Sequence, residues 1–189
     1  MFNRVRRYSL RDKDSVRRLC LDNCDSELRD EKALASVLCL YCDYYLDNEY
    51  ESCFVAVDER DEVIGYLLCA PDFEKYKTVF GDVYVRAAEE YGAKAFVEAK
   101  MNMIPYSMFS AEYPAHIHMD VAKAYQREGI GTRLLSSAKI DLAKNGVKGI
   151  MLVCGNDNET GKSFYEKSGM KKLMTLPVGT VYATELKNE

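Results

Sequence analysis

The feature that most constrains the fold is a strand, a turn, a helix and a second strand within residues 115–154. "AHIHMDV" (115–121) predicts the first strand, and the apolar residues of 130–144 recur on one face of a helix. "VKGIMLVC" (147–154) is continuously apolar, a pattern typical of a strand covered on both faces. Elements in this order predict a parallel βαβ unit with a right-handed crossover.

The rest of the chain supplies elements around this unit. Its N-terminal part predicts a strand in "NRVRRYSL", a helix at 12–24 capped by Asp12 or Asp14, and a helix at about 31–47. A hairpin is predicted from strands at 54–57 and 63–69, and the βαβ unit is followed by a short helix and two extended segments, at 159–169, 170–176 and 180–187. Neither a repeat nor a linker interrupts the sequence, so we expect one mixed α/β domain over residues 1–189.

Residues 73–113 are rich in aromatic side chains. They hold nine of the chain's 21 aromatic residues, and "MNMIPYSM" adds three methionines. The first half of this segment has helical spacing. Two interpretations stay open, because such residues can be ordinary core or the aromatic wall of a substrate pocket.

Charge and hydropathy argue against several classes of partner. The net charge is −4 and the pI is about 5.4, whereas nucleic-acid phosphates attract a basic surface. No apolar run approaches the roughly 18–20 residues that span a bilayer, so we expect no membrane partner. The first residues include arginines but no apolar signal-peptide core, so we expect no secretion.

The seven cysteines form an odd set without a compact disulfide framework, which predicts reduced thiols and a cytoplasmic protein. Cys20 and Cys24 have C-x3-C spacing, and Cys39 and Cys42 have C-x2-C spacing, which superficially suggests zinc. The second pair lies in an apolar helical run that has no turn to aim both thiolates at one ion. We therefore expect these cysteines to pack in the core and expect no metal site.

"AYQREGIGTRLL" (124–135) places Gly129 and Gly131 just before the helix of the βαβ unit. A dinucleotide fold requires a third glycine, where this chain has Leu134, and an acidic residue after the next strand, which ends in Val-Cys-Gly. "GNDNETGKS" (155–163) resembles a P-loop, but five residues separate its glycines where a P-loop has four. A pyrophosphate held at the helix N-terminus fits better, with Gln126 and Arg127 as further donors. The residues alone leave open which molecule carries that pyrophosphate.

Two motifs resemble those of the GNAT superfamily of N-acetyltransferases. "QREGIG" (126–131) matches its Q/R-x-x-G-x-G/A signature in a strand–turn–helix context, and "NETGKSFYEKSGM" (158–170) is similar to its second motif, with Asn158 and Tyr165 seven residues apart. The order of elements agrees over nearly the whole chain. "YPAHIHMDV" (113–121) further resembles the branch that includes the acetyltransferase-like domain of eukaryotic O-GlcNAcases, although this sequence keeps an intact glycine turn.

The resemblance implies an α/β GNAT fold, with a central, mostly antiparallel mixed sheet, one parallel βαβ unit and helices on both faces. It implies acetyl-CoA as co-substrate and the primary amine of a small molecule or peptide as acceptor, acetylated by direct attack. The pantetheine would lie between the strands that end near Val121 and Val153. The residues implied to bind acetyl-CoA are Met119, Val121, Gln126, Arg127, Gly129, Ile130, Gly131, Thr132, Asn158 and Tyr165.

Candidate catalytic roles follow from the chemistry of amine acetylation and, for Tyr165, from the same resemblance. The N–H of Val121 is the candidate for stabilising charge on the thioester carbonyl, and Tyr165 is the candidate acid for the leaving thiolate. His118 or Asp120 would relay the amine proton. Both share a strand face with His116, unless a bulge in the strand exchanges the faces. A module that binds acyl-CoA without turnover is the alternative function, and the sequence leaves the acceptor amine and a homodimer open.

Overall fold

A computed structural model describes residues 3–24 and 30–187 of the chain. Seven strands form one sheet in the order β1-β2-β3-β4-β5-β7-β6, in which only β4 and β5 run parallel. The predicted mixed, mostly antiparallel sheet with one parallel βαβ unit is therefore confirmed. The strands are β1 Arg4–Arg7, β2 Phe54–Val57, β3 Val63–Ala70, β4 Ala115–Val121, β5 Gly149–Cys154, β6 Lys171–Leu176 and β7 Gly179–Glu185.

The helices lie on both faces of the sheet. They are α1 Lys13–Asp22, α2 Glu31–Leu38, α3 Tyr44–Asn48, α4 Phe73–Val79, α5 Val85–Glu90, α6 Ala93–Phe109, α7 Ile130–Lys144 and α8 Glu159–Lys167. Helices α1 to α6 pack in one hydrophobic core with one face of the sheet, and α7 and α8 pack in a second core with the other face. Strand β5 is buried at five of its six positions, as its continuously apolar sequence predicts.

Two π-helical turns interrupt the first layer of helices. Cys39–Asp43 joins α2 to α3, and Phe80–Tyr84 joins α4 to α5, so each helix pair continues through a turn that holds one extra residue. The helix predicted at 31–47 is thus present, but with an internal change of phase. Side chains after such a turn face a different direction from the one that a regular helix would give them.

Strands β4 and β5 pair only at their N-terminal ends. The register joins Ala115 to Ile150 and His116 to Met151, and no later residue of β4 pairs with β5 within the described part of the chain. On its other side, β4 pairs with β3 without interruption from Ala70↔His116 to Gly65↔Val121. The strand has no bulge against β3, so His116, His118 and Asp120 share one face.

Asp12 occupies the N-cap position of α1, as predicted, but among the described hydrogen bonds neither its side chain nor that of Asp14 caps that helix. Asp12 instead accepts hydrogen bonds from Arg6 at 2.7 and 2.9 Å and from the Ser9 N–H at 2.9 Å. It is 4% exposed, so this ion pair ties β1 to the start of α1 inside the protein. The two arginines that flank Val5 helped to predict a strand, but they did not indicate that Arg6 pairs with Asp12.

The cysteines pack as expected: Cys20, Cys39 and Cys42 are buried, and Cys24 is partly buried, with its thiol donating to the Cys20 carbonyl. All seven thiols are unpaired. In residues 3–24 and 30–187, three or more His, Cys, Asp or Glu side chains nowhere cluster as they would around a metal ion. Over the same residues, none of the helices is both long and apolar enough to cross a membrane.

Candidate active site

The separation of β4 from β5 leaves backbone groups of β4 facing a gap. The Ala122 N–H donates to the Ile64 carbonyl. Backbone groups alternate in direction along a strand, so Asp120, His118 and His116 also direct their N–H and C=O groups toward β3. The intervening residues, Met119 and Val121, therefore direct their N–H and C=O groups toward the gap, where β5 has diverged. The Gln126 side chain reaches one of these groups and donates from Nε2 to the Val121 carbonyl at 3.2 Å.

Helix α7 begins at this gap with an open N-terminus. Its N-cap residue is Gly129, in the left-handed region with φ of +75°, and no side chain caps the first turn. The first backbone bond of the helix runs from the Arg133 N–H to the Gly129 carbonyl, which leaves the preceding N–H groups free for a ligand. Arg127 also has a positive φ, +66°, an uncommon conformation for a residue with a side chain.

The two glycines of the turn have different roles. A Cβ on Gly129 would contact nothing within 4 Å, so glycine serves there because of its backbone conformation. A Cβ on Gly131 would lie 3.2 Å from Phe164 and 3.7 Å from Met119, so glycine there permits close packing of α7 against α8. The contact between α7 and α8 therefore depends on the missing side chain at Gly131.

A cavity of about 610 Å³ extends from the β4–β5 gap to the α7 N-terminus. It contains eleven of the twelve candidate residues from the sequence: Met119, Asp120, Val121, Gln126, Arg127, Gly129, Ile130, Gly131, Thr132, Asn158 and Tyr165. Tyr125, Thr160, Gly161 and Phe164 complete the lining. We call this space the α7 cavity.

Asn158 lines the α7 cavity and also has a structural role. Its Oδ1 accepts the Gly161 N–H at 2.8 Å and caps α8. A Cβ on Gly161 would lie 2.7 Å from the Asn158 amide, so this cap requires the glycine. Two of the four lining residues that sequence reasoning missed follow from this geometry, since Thr160 and Gly161 form the first turn of the helix that Asn158 caps.

A second cavity of about 240 Å³ lies beside the first, on the face of β4 that carries His116, His118 and Asp120, and His118, the twelfth candidate, lines it. Four tyrosines form much of its wall: Tyr41, Tyr45, Tyr76 and Tyr106. We call this space the tyrosine cavity. Two of these tyrosines come from the aromatic segment 73–113, whereas Tyr41 and Tyr45 come from the helix that contains the first π turn.

His118 and Asp120 connect the two cavities. His118 Nε2 lies 3.6 Å from Asp120 Oδ2, and the same oxygen accepts a hydrogen bond from the Tyr66 hydroxyl at 2.7 Å. Each of the two side chains is 32% exposed. Burial lowers the pKa of His118 below its ordinary value of 6.5, and the negative charge of Asp120 only partly offsets this effect. The imidazole is therefore neutral at pH 7 and able to accept a proton.

His116 shares the strand face of His118 but lies apart from both cavities. Its ring is completely buried, stacked on Tyr106 at 4.0 Å between centroids and perpendicular to Tyr76 at 4.3 Å. Burial lowers the pKa of His116 to about 3, which keeps it neutral. His116 thus shares the strand face of His118 and Asp120, as predicted, but packs against Tyr76 and Tyr106, two tyrosines of the tyrosine cavity.

Tyr165 enters the α7 cavity from α8. It is 9% exposed and packs against Phe164 and Tyr182, with ring centroids 5.2 and 5.9 Å away. Burial raises the pKa of Tyr165 well above its ordinary value, so the phenol keeps its proton at neutral pH. A phenol in this state is a hydrogen-bond donor and not a base, and its raised pKa means that it gives up its proton only to a strongly basic group such as a developing thiolate.

The chain matches the sequence model of the Acetyltransferase (GNAT) family over residues 17–170. It belongs to this family. The protein is an acetyl-CoA-dependent acyltransferase, and its mixed sheet with helices on both faces is the GNAT fold.

Individual relatives are distant. The "Uncharacterized N-acetyltransferase YhfO" of Bacillus subtilis (strain 168) is 26% identical over 125 residues, which cover 54% of this chain and 81% of the relative. The crystal structure of SsHAT superposes with a TM-score of 0.83 at 21% identity, covering 97% of this chain and 98% of its own. The PaiA N-acetyltransferase of Thermoplasma acidophilum, solved in complex with coenzyme A, gives 0.64 at 16% identity, with 98% and 99% covered. At these identities the structures show a shared fold.

The α7 cavity fits the acetyl-CoA that GNAT acetyltransferases use. The N–H groups at the start of α7 suit a pyrophosphate, and the peptide groups of Met119 and Val121 that face away from β3 and lack a β5 partner among the described residues suit an extended chain that contains amides. Gln126, Arg127 and Thr132 surround the helix end and would contribute further donors. When bound, acetyl-CoA supplies an activated thioester.

Proposed function

We propose that this GNAT acyltransferase acetylates a primary amine by direct attack of the amine nitrogen on the acyl carbon of acetyl-CoA. A C–N bond forms and the C–S bond breaks. An amine that arrives as an ammonium ion loses one proton before the attack and a second one after it, the thiolate gains one, and one proton is released to solvent. The observation that carries the proposal is that His118 and Asp120 line different cavities yet lie 3.6 Å apart, so the donor and the acceptor can meet at this pair.

His118 serves as the general base in this proposal. It lines the tyrosine cavity, where the acceptor would enter, and its neutral imidazole accepts the amine proton directly or through one water. Asp120 is the positioning partner, because its carboxylate stabilises the imidazolium that forms. The Tyr66 hydroxyl holds that carboxylate in place at 2.7 Å.

Val121 and Tyr165 act on the acetyl-CoA side. The Val121 N–H faces the gap and would stabilise charge on the carbonyl oxygen, an effect worth about 3 kcal/mol for one backbone donor. Tyr165 lines the same cavity in its protonated form and would supply the proton that the thiolate needs. The two proton transfers thus use different residues on opposite faces of β4.

The test combines binding with turnover. Calorimetry should show that acetyl-CoA binds, and release of the coenzyme A thiol should depend on an added primary amine, with the acetylated amine identified by mass spectrometry. His118→Ala should lower kcat/KM by at least about a hundredfold while acetyl-CoA still binds. Acetyl-CoA binding without release for any amine in a broad panel would instead identify an acyl-CoA-binding module.

Some finer assignments rest on the sequence alone. We propose membership of the branch similar to the O-GlcNAcase acetyltransferase-like domains because of "YPAHIHMDV", and a cytoplasmic location because of the cysteine pattern. A single domain over residues 1–189 and a homodimer also stay predictions. Gel filtration with light scattering would decide the oligomeric state.

A further inference from the structure

The tyrosine cavity has an uncharged wall. Among the described residues, neither an acidic nor a basic side chain lines it, and its one titratable imidazole, His118, is neutral. The two nearby carboxylates already have partners: Glu98 accepts a hydrogen bond from the Tyr41 hydroxyl at 2.7 Å, and Asp120 accepts one from the Tyr66 hydroxyl and lies 3.6 Å from His118. A second charge on a bound amine would therefore lose water without gaining a partner, which is unfavourable.

The same wall offers aromatic faces. Tyr76 and Tyr106 stand perpendicular to each other with centroids 6.0 Å apart, and Tyr41 lies 5.7 Å from His118. Ring faces attract a single ammonium group and an apolar body without requiring a carboxylate. The cavity volume of about 240 Å³ lies below the roughly 300–1,000 Å³ of sites for drug-sized ligands, so the part of the acceptor that enters is compact.

The cavity also contains a hydrogen-bond donor that lacks an acceptor. The Nδ2 atom of Asn102 is buried and makes no hydrogen bond within the described residues. Burial raises the pKa of the nearby Tyr41 phenol, and the Asn102 amide lowers it by a smaller amount. A buried donor without a partner costs about 1–3 kcal/mol. A hydroxyl or carbonyl oxygen on the acceptor would satisfy it.

We infer that the acceptor is a small primary amine with one positive charge, on an uncharged and largely apolar body that presents an oxygen to Asn102. This inference rests on the proposed function, because it requires that the acceptor occupies the tyrosine cavity. Polyamines and guanidine-bearing amines are disfavoured by the missing carboxylate, and amino acids are disfavoured by the missing cation.

The experiment compares four amines at saturating acetyl-CoA: tyramine, 2-phenylethylamine, agmatine and spermidine. Tyramine and 2-phenylethylamine differ by one hydroxyl, whereas agmatine and spermidine carry additional charge. We expect kcat/KM for the two aromatic amines to exceed that for the two charged amines by at least tenfold, with tyramine the better aromatic substrate. Equal or faster turnover of agmatine or spermidine would overturn the inference.

Two variants test the residues. Asn102→Leu should lower kcat/KM for tyramine by roughly tenfold and leave 2-phenylethylamine nearly unchanged, because only the donor is lost. Val178→Glu places a carboxylate in the half-buried rim of the cavity and should shift the preference toward agmatine. If Asn102→Leu does not fold, the Val178→Glu shift still decides, and its absence in a folded variant would contradict an uncharged acceptor cavity.

A binding measurement separates failure of this inference from failure of the proposed function. If no amine causes coenzyme A release, calorimetry of each amine with the protein and coenzyme A reads occupancy without turnover. Binding of tyramine but not of agmatine would then retain the acceptor chemistry and reject catalysis. Absence of amine binding, or equal binding of all four, would reject the acceptor chemistry itself.

Discussion

Two glycines in this protein have the same backbone conformation but different surroundings. Gly129 begins α7 and Gly146 follows its end, both with φ of +75° and with nothing within 4 Å of an added Cβ. Only Gly129 lines the α7 cavity. Alanine substitution therefore introduces the same backbone strain at both positions, but places a methyl group in the proposed pyrophosphate site at only one of them.

The magnitudes separate the two effects. Left-handed backbone costs a residue with a side chain about 1–2 kcal/mol, so Gly129→Ala and Gly146→Ala should each lower the free energy of unfolding by that amount. For a chain of this size, 1 kcal/mol corresponds to a Tm decrease of roughly 2–4 °C. Losing one hydrogen bond to a charged phosphate costs about 1.5–3 kcal/mol, so Gly129→Ala should weaken acetyl-CoA binding by roughly tenfold to a hundredfold.

Urea unfolding and calorimetric titration with acetyl-CoA measure both quantities on the same three proteins. The expected result is equal destabilisation of the two variants, with the Kd raised only in Gly129→Ala. If both variants bound acetyl-CoA as tightly as the parent protein, the α7 N-terminus would not hold the pyrophosphate. If both lost affinity equally, the loss would reflect stability rather than contact.

Three further predictions concern protons and one ion pair. Tyr165→Phe should lower kcat by roughly a hundredfold without changing the acetyl-CoA Kd. The control is Tyr182→Phe, which should leave kcat intact because the Tyr182 hydroxyl donates to Glu166. An equal loss of kcat in both variants would show that Tyr165 is not the acid. Because burial lowers the pKa of His118, kcat/KM should decrease as the pH falls through a midpoint below 6.5. If His118→Ala kept the same decrease at low pH, the titrating group would be a residue other than His118. Burial raises the pKa of Asp12, but hydrogen bonds from Arg6 and Ser9 outweigh this effect and hold the pKa below its ordinary value of 3.8. The ionised Asp12 carboxylate therefore contributes its full stabilisation of the folded protein above pH 3.8. That contribution is lost as the pH falls through the lower pKa of the folded state. Asp12→Asn should reduce the free energy of unfolding by about 3 kcal/mol at neutral pH in urea titrations, and a loss as small as that of Glu74→Gln, at the exposed ion pair with Lys77, would contradict this.

Much of the fold and of the α7 cavity could be predicted because the signals are local. Hydrophobic periodicity determines where β4, α7 and β5 lie, and the glycine turn places the start of α7 beside the end of β4. Alternation along β4 correctly placed His118 and Asp120 on one face. These inferences depend on neighbouring residues in sequence, where spacing is informative.

The parts that sequence reasoning missed depend on distant contacts. Tyr66 meets Asp120 across 54 residues, and Arg6 meets Asp12 by bridging two elements rather than by capping a helix. The burial of His116 by Tyr76 and Tyr106 likewise depends on how α4 and α6 cover the sheet. Periodicity assigns a residue to a face but not to the depth at which neighbouring helices bury it.

The π turn at Cys39–Asp43 contains Leu40 and Tyr41, and both side chains line the tyrosine cavity. Removing one residue from this turn would restore a regular helix and rotate one half of the α2–α3 segment against the other by about 100°. Insertions and deletions of a single residue here would therefore redirect the part of the proposed acceptor cavity that Leu40 and Tyr41 form, while β4, α7 and α8 keep the proposed acetyl-CoA side unchanged. A lineage carrying this scaffold could exchange one amine for another through a change in helix length, without altering any residue that touches the coenzyme.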